Sequence, residues 1–169
     1  MVDVGYPSDP DDVMLLPGVS DALNACLQAG FRLAIISNQS GVGRGYFDAD
    51  AVTAVHQRLL ELLKAEGIGI DDAQYCLHAP EDGCACRKPS PLMLQRSAAK
   101  LGADLAASFM IGDKSSDVEA GHRAGCRGIL LRADGGVDAD GPWQAATTWP
   151  EVARLILDAP ISQAWLRTE

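Results

Sequence analysis

The chain has 169 residues, of which 47% are apolar, 14 are Lys or Arg and 23 are Asp or Glu. This length suits one compact domain, so we expect a single domain over residues 1–169. The formal net charge of −9 disfavours nucleic acid as a partner, because nucleic-acid binders usually carry a basic surface. No apolar run reaches membrane-spanning length and the N-terminus has no signal-like segment, so we expect a cytoplasmic protein without membrane contacts.

Helix and strand patterns alternate along the chain. Apolar residues at helical spacing predict helices that begin near Val19, Val52, Ser90 and residue 114, and the sequence Thr148-Trp149-Pro150-Glu151 predicts a capped final helix. Short apolar runs predict strands over residues 31–36, 73–77, 108–111 and 128–131. Such alternation predicts an α/β fold with a parallel sheet covered by helices on both faces. In these folds ligands bind at the carboxyl ends of the strands.

A cluster of cysteines and one histidine lies near the middle of the chain. Three of the five cysteines fall within eleven positions, beside a histidine: Cys76, His78, Cys84 and Cys86. Thiolates and imidazole at this spacing favour tetrahedral zinc in a cytosolic protein. Four protein ligands leave no open position, so the zinc would be structural. The alternative is a set of reduced cysteines without a metal.

Two polar segments at strand ends suit phosphate binding. The segment SNQSGVGRG, residues 37–45, offers hydroxyl, amide and backbone N–H groups, and its glycines allow close approach. Arg87 and Lys88 follow the cysteine cluster directly, and both side chains bind phosphate in many proteins. Each segment has a simpler interpretation, a turn for the first and a solvated basic pair for the second.

A pair of carboxylates follows the third predicted strand. Asp113 and Asp117 stand in the sequence GDKSSD, and their oxygen ligands suit a hard cation such as Mg²⁺. Capping of the following helix by Asp117 is the alternative interpretation.

Taken in order, these segments resemble the haloacid-dehalogenase (HAD) superfamily of phosphatases. The match runs from Val2 to about Leu131 and rests on SNQSGVGRG, CLH…CACRKP and IGDKSSD. The resemblance implies a three-layer, Rossmann-like sandwich and an aspartyl-phosphate mechanism. It is closest to phosphatases of small sugar phosphates that share the zinc loop with the histidinol-phosphatases.

The resemblance also implies roles for individual residues. Ser37, Lys88 and Asp113 match catalytic positions, with Asp113 as a magnesium ligand. Cys76, His78, Cys84 and Cys86 match zinc ligands. The positions that match substrate contacts are Asp3, Val4, Gly5, Tyr6, Ser37, Asn38, Gln39, Ser40, Arg87, Lys88 and Lys114.

One family motif is missing from its place in the alignment. Relatives carry an Asp-x-Asp pair at the end of the first strand, shortly before the segment that matches Val2-Asp3, and here the alignment begins after it. The first Asp is the nucleophile and the second is the acid and base. We therefore expect a truncated domain that lacks its central strand, leaves two strand edges unpaired, and has no phosphatase activity.

The implied reaction is removal of the 7-phosphate of a heptose 1,7-bisphosphate, a step towards activated heptose for surface polysaccharide. Two alternatives stay open. One is a related phosphatase for histidinol phosphate or another small sugar phosphate. The other is a non-catalytic, zinc-containing protein that binds sugar phosphates. We expect a monomer in each case.

Overall fold

Helices and parallel strands alternate through the chain. The computed structural model describes residues 8–134 and 141–160. The strands within these ranges are β1 (Ala34–Asn38), β2 (Asp72–Cys76), β3 (Phe109–Gly112), β4 (Arg127–Leu131) and β5 (Gln144–Ala146). The α-helices are α1 (Val19–Gln28), α2 (Ser40–Gly43), α3 (Ala49–Ala65), α4 (Leu92–Leu101), α5 (Ser115–Ala124) and α6 (Trp149–Leu157). Among the described helices, none is long and apolar enough to cross a membrane.

The ends of the later helices agree with the sequence prediction, with small shifts. α4 and α5 end at Gly102 and Gly125, where φ is 64° and 91°, values that glycine adopts without strain. At the start of α6, Thr148 Oγ1 accepts from the Glu151 backbone N–H at 3.4 Å. The Glu151 carboxylate accepts from the Thr147 backbone N–H. A standard capping box would use the N–H of Thr148, one residue later. The predicted capped helix is therefore confirmed, with a variant of the capping box.

The predicted cap of α4 is wrong in detail. Pro91, not Ser90, occupies the N-cap position, and the helix begins at Leu92. The Ser90 hydroxyl instead donates to the carbonyl of Ala85 at 2.5 Å, while accepting a long bond of 3.4 Å from Leu92 N–H. The hydroxyl thus links the helix start to the preceding Cys/His segment.

Strand pairing decides where β1 begins and ends. The predicted strand covered residues 31–36, but β1 starts at Ala34 because Leu33 N–H donates to the side chain of Asp71 at 2.8 Å. It continues to Asn38 because the parallel register places Asn38 opposite Cys76. The short strand β5 was not predicted, and it forms by pairing in parallel with β4.

Two apolar clusters show that helices cover both faces of the sheet layer. Ile129 of β4 packs in a cluster with Cys26 of α1 and with Val152 and Ile156 of α6. A second cluster joins Met110 of β3 to Leu94 of α4 and Ala120 of α5. The strands therefore lie between α1 and α6 on one side and α4 and α5 on the other, which confirms the predicted three-layer α/β fold.

The strands form two parallel sheets, ordered β1-β2 and β3-β4-β5. The backbone groups of Leu33 and Gln39 bond to Asp71 and Cys76, on the β2 side of β1. Backbone groups of successive strand residues point in alternate directions, so those of the even-numbered residues of β1 point to its opposite edge. The Ser108 carbonyl accepts from the Arg127 N–H at the start of β4. By the same alternation, the backbone groups of Phe109 and Ile111 point away from β4. Within residues 8–134 and 141–160, no strand pairs with these second edges.

Candidate functional site

The predicted ligands of the cysteine cluster meet at one point. One atom from each of Cys76, His78, Cys84 and Cys86 lies within 4.8 Å of all the others. The sulfur of Cys76 lies 3.5 Å from that of Cys84 and 3.2 Å from that of Cys86. His78 Nδ1 lies 3.6 Å from the Cys76 sulfur. A tetrahedron with metal–sulfur bonds of 2.3 Å has edges of about 3.5–3.8 Å, so the four atoms fit one tetrahedral cation.

The charges in this cluster also favour a cation. Burial raises the pKa of the Cys76 thiol to about 12. Burial also acts to raise the pKa of Cys84, but a backbone hydrogen bond from Arg87 and contacts with the neighbouring thiols outweigh it and lower that pKa. Three thiolates at these distances repel one another unless a positive ion neutralises them. The cluster is therefore a candidate metal site closed by four protein ligands.

The end of β1 and the residues after it form a compact loop (residues 37–45), which we call the phosphate-binding loop after the role predicted from the sequence. It begins at the carboxyl end of β1 and contains the short helix α2. Gln39 Nε2 donates to Ser37 Oγ at 3.1 Å, which fixes the hydroxyl at the strand end. Gly41 has no space for a side chain, since a Cβ atom there would lie 2.2 Å from the ring of Phe47.

The side chain of Asn38 joins this loop to the segment that contains the cysteine cluster, residues 76–88, which we call the Cys/His loop. Asn38 Oδ1 accepts from the Lys88 backbone N–H at 3.0 Å, and Asn38 Nδ2 donates to the Lys88 carbonyl at 3.2 Å. Both backbone groups of Lys88 are thereby held by one side chain. The Asn38 amide consequently has a structural partner in addition to the substrate contact that the family resemblance implies.

Lys88 carries a buried cation at the meeting point of the two sheets. Its side chain is 7% exposed, and its ammonium group lies 2.7 Å from Oδ1 of Asp117. The same group donates to the Ile36 carbonyl at 2.6 Å, on the edge of β1 that no other described strand pairs with. The ammonium group is thus fixed between the end of β1 and the start of α5.

Asp113 and Asp117 have different environments. Asp113 is exposed at the end of β3. Asp117 is buried, bonds Lys88 through one oxygen, and accepts from the Lys114 backbone N–H at 3.2 Å through the other. A side chain at Gly112 would lie 2.2 Å from the Asp117 Cβ, so the strand end must be glycine. Asp117 thus acts as a helix cap and as the partner of Lys88, in line with the alternative interpretation of this residue, and the role of Asp113 as a magnesium ligand stays a prediction.

Further cations lie around this site. Arg87 is half-buried and its guanidinium donates to the His78 carbonyl at 3.4 Å. Lys114 is exposed at the start of α5. Arg44 pairs with Glu81 at 3.2 Å and so connects the phosphate-binding loop to the Cys/His loop.

The structure therefore brings together most of the predicted site. Ser37 and Asn38 at the end of β1, the buried Lys88 and the Asp113–Asp117 segment meet where the two sheets approach. Asp3, Val4, Gly5 and Tyr6 lie outside the described residues. The sequence analysis did not identify Asp117 as the partner of Lys88. The sequence signal for this pairing is an Asp at the third position of a helix that closely follows Gly-Asp.

Comparisons with known proteins identify the family to which the chain is similar. Residues 85–152 match the family described as HAD-hydrolase-like. The chain is 38% identical to the D-glycero-beta-D-manno-heptose-1,7-bisphosphate 7-phosphatase of Pseudomonas aeruginosa over 132 residues, which are 78% of this chain and 74% of the relative. It is 36% identical to the enzyme of the same name from Helicobacter pylori over 156 residues, 92% of this chain and 90% of the relative.

Two solved structures are similar to this chain over most of its length. The D,D-heptose 1,7-bisphosphate phosphatase from B. bronchiseptica, crystallised with magnesium and phosphate, has a TM-score of 0.80 and 32% identity, covering 92% of this chain and 90% of that one. A putative HAD-like phosphatase from Mesorhizobium loti has a TM-score of 0.81 and 35% identity, covering 92% of this chain and 78% of that one.

Proposed function

Because this chain belongs to the family of HAD-type heptose-1,7-bisphosphate 7-phosphatases, we propose that it hydrolyses the 7-phosphate of D-glycero-D-manno-heptose 1,7-bisphosphate. The observation that carries the proposal is the buried ammonium group of Lys88, held between the Ile36 carbonyl and Asp117. This group lies near the carboxyl ends of β1 and β3, where Ser37 and Asp113 are found. The small phosphorylated sugar is the proposed partner of a single-domain, cytoplasmic monomer.

The proposed roles follow from the charge of the reacting group. Phosphoryl transfer depends mostly on positioning and on neutralising the charge of the phosphoryl oxygens. Lys88 is suited to this role, because its cation is already fixed and shielded from water by two protein oxygens. Ser37 supplies a hydroxyl donor and Arg87 a bidentate cation for the rest of the substrate.

Two metals are proposed. Asp113 would hold Mg²⁺, since an exposed carboxylate at a strand end offers the oxygen ligand that this ion prefers. Bound there, magnesium supplies positive charge that offsets the charge of the phosphoryl oxygens. The cysteine cluster would hold Zn²⁺, which needs four sulfur or nitrogen ligands at the distances observed. With all four positions filled by protein, that zinc has a structural role.

The nucleophile is assigned to no described residue. Asp117 is engaged with Lys88 and Lys114, and Asp113 is the proposed magnesium ligand. In the family an Asp-x-Asp pair at the end of a further strand attacks phosphorus and then manages the protons.

The test is phosphate release from heptose 1,7-bisphosphate in the presence of Mg²⁺. We would compare the unaltered protein with the variant Lys88→Met. We expect release from the unaltered protein, with a loss of at least about 100-fold on Lys88→Met. Faster turnover of histidinol phosphate would replace the proposed substrate. Absence of release from the unaltered protein would reject the proposed activity.

A further inference from the structure

The phosphate-binding loop and the Cys/His loop are bonded to each other through their backbones. The Gln39 N–H donates to the carbonyl of Cys76 at 2.7 Å, and the Gly43 N–H donates to the carbonyl of Leu77 at 2.9 Å. Cys76 is a candidate metal ligand and Leu77 stands between two ligands. The position of the metal cluster therefore determines where two donors of the phosphate-binding loop can lie.

At Gly43 the two loops touch without any intervening side chain. A Cβ atom at Gly43 would lie 2.3 Å from the backbone nitrogen of Ala79 and 2.8 Å from the carbonyl carbon of His78. These are backbone atoms, which cannot rotate away as a side chain does. A shift of either loop must consequently be shared by the other, because close-packed contacts transmit displacement.

Asn38 provides a second connection at the other end of the Cys/His loop. Its amide bonds both backbone groups of Lys88, which follows the ligand Cys86 by two positions. The Cys/His loop is therefore attached to the phosphate-binding loop at both ends, near its first ligand and after its last. The exposed Arg44–Glu81 pair adds little, since solvent and side-chain entropy weaken exposed ion pairs.

We propose that Asn38 and Gly43 are positioning residues that couple the two loops, so that occupancy of the cysteine cluster by zinc raises the affinity of residues 37–45 for phosphate. Without a cation, three thiols within 3.7 Å of one another relax apart or carry protons, and the carbonyls of Cys76 and Leu77 are no longer fixed. With zinc bound, those carbonyls hold the Gln39 and Gly43 amides in place. The inference rests on the proposed function in one respect, namely that residues 37–45 bind phosphate.

The first experiment measures linkage in the unaltered chain. Inorganic phosphate with Mg²⁺ is titrated into zinc-loaded and zinc-stripped protein, and zinc affinity is measured with and without phosphate by competition with a chromophoric chelator. We expect zinc to tighten phosphate binding by about fivefold or more, and phosphate to tighten zinc binding by the same factor, because coupling is reciprocal. Phosphate affinity that is equal in the two forms would overturn the proposal.

The second experiment separates failure of the coupling from failure of the proposed function. Amide hydrogen exchange of Gln39 and Gly43 is compared with and without zinc, which requires no phosphate binding. We expect zinc to slow exchange at both amides in the unaltered chain and in Gly69→Ala, whose position has no neighbour within 4 Å of a Cβ. Gly43→Ala should lose the effect at Gln39. Zinc-dependent protection that is unchanged in Gly43→Ala would overturn the coupling, whereas normal coupling without phosphate binding would overturn only the proposed function.

Discussion

The ammonium group of Lys88 lies 2.7 Å from a carboxylate oxygen of Asp117, and the two side chains are only 7% and 8% exposed. The pair joins the segment after the metal cluster to the first turn of α5. Because buried charges are costly unless paired, each side chain depends on the other to offset the cost of its burial.

Replacing Asp117 by Asn should therefore destabilise the protein strongly. Breaking a buried ion pair by removing one partner costs about 3–5 kcal/mol, and we expect the free energy of unfolding in urea to fall by that amount. Glu119→Gln is the control, because it breaks an ion pair with Arg123 on the exposed side of the same helix. Equal losses in the two variants would contradict the importance of burial.

Zinc content tests the cysteine cluster directly. We expect one zinc per chain by elemental analysis of the purified protein, and loss of that zinc in Cys86→Ser, because the remaining three ligands no longer close the tetrahedron. Cys26→Ala, which alters a buried cysteine outside the cluster, should keep the metal. The ligand set would be contradicted if Cys86→Ser kept its zinc at the same chelator concentrations at which the unaltered protein and Cys26→Ala keep theirs.

Magnesium binding tests the predicted role of Asp113 as a ligand. Asp113→Asn removes the proposed oxygen anion, and we expect Mg²⁺ affinity measured by calorimetry to fall by more than about tenfold, since even outer contacts of metal ligands cost 10–100-fold. Asp11→Asn removes an exposed carboxylate that is distant from Asp113 in the sequence, and it serves as the control. If both variants bound Mg²⁺ equally well, Asp113 would not be the ligand.

Asp72 should make stability depend on pH in the acid range. Burial acts to raise its pKa, but hydrogen bonds from Lys100 and Gln74 outweigh burial and lower the pKa from 3.8 to about 2. Lys100 Nζ lies 2.5 Å from the carboxylate. A lowered pKa stabilises the fold above the unfolded value, so the contribution is present above about pH 4 and is lost as the pH falls through about 2.

Urea unfolding of zinc-stripped Asp72→Asn and of the unaltered chain between pH 2 and 5 measures this effect. We expect the difference in unfolding free energy to be at most about 2 kcal/mol near pH 5, from 1.36 kcal/mol per pKa unit, and to shrink towards pH 2. A difference that did not change with pH would show that the carboxylate charge is irrelevant to stability.

Tyr75 should titrate late in the folded protein. Burial raises its pKa to about 12, and its hydroxyl lies 2.6 Å from Nδ1 of His56. Because the unfolded side chain ionises near 10, stability should fall as the pH rises from about 10 to 12. A near-ultraviolet absorbance titration should contain a late step that Tyr75→Phe removes and Tyr46→Phe, at an exposed site, keeps. Persistence of the late step in Tyr75→Phe would assign it elsewhere.

Features that depend on neighbouring residues could be read from the sequence. The order of helices and strands follows from the spacing of apolar residues, and the ends of α4 and α5 follow from Gly102 and Gly125. The clustering of Cys76, His78, Cys84 and Cys86 was also predictable, because all four lie within eleven positions and a loop of that length can close around an ion. The resemblance of three short segments then indicated the family.

The tertiary structure alone decided how these parts contact one another. Asn38 bonds Lys88 across 50 positions, and Lys88 pairs with Asp117 rather than with Asp113. Strand register and the packing of α4 and α5 against the sheet determine such contacts, and a shift of one residue would turn each side chain to the opposite face. Local periodicity carries no information about that register over such separations. The sequence therefore determined which residues could bind metal and phosphate, and the packing of the sheet decided which carboxylate holds the buried lysine.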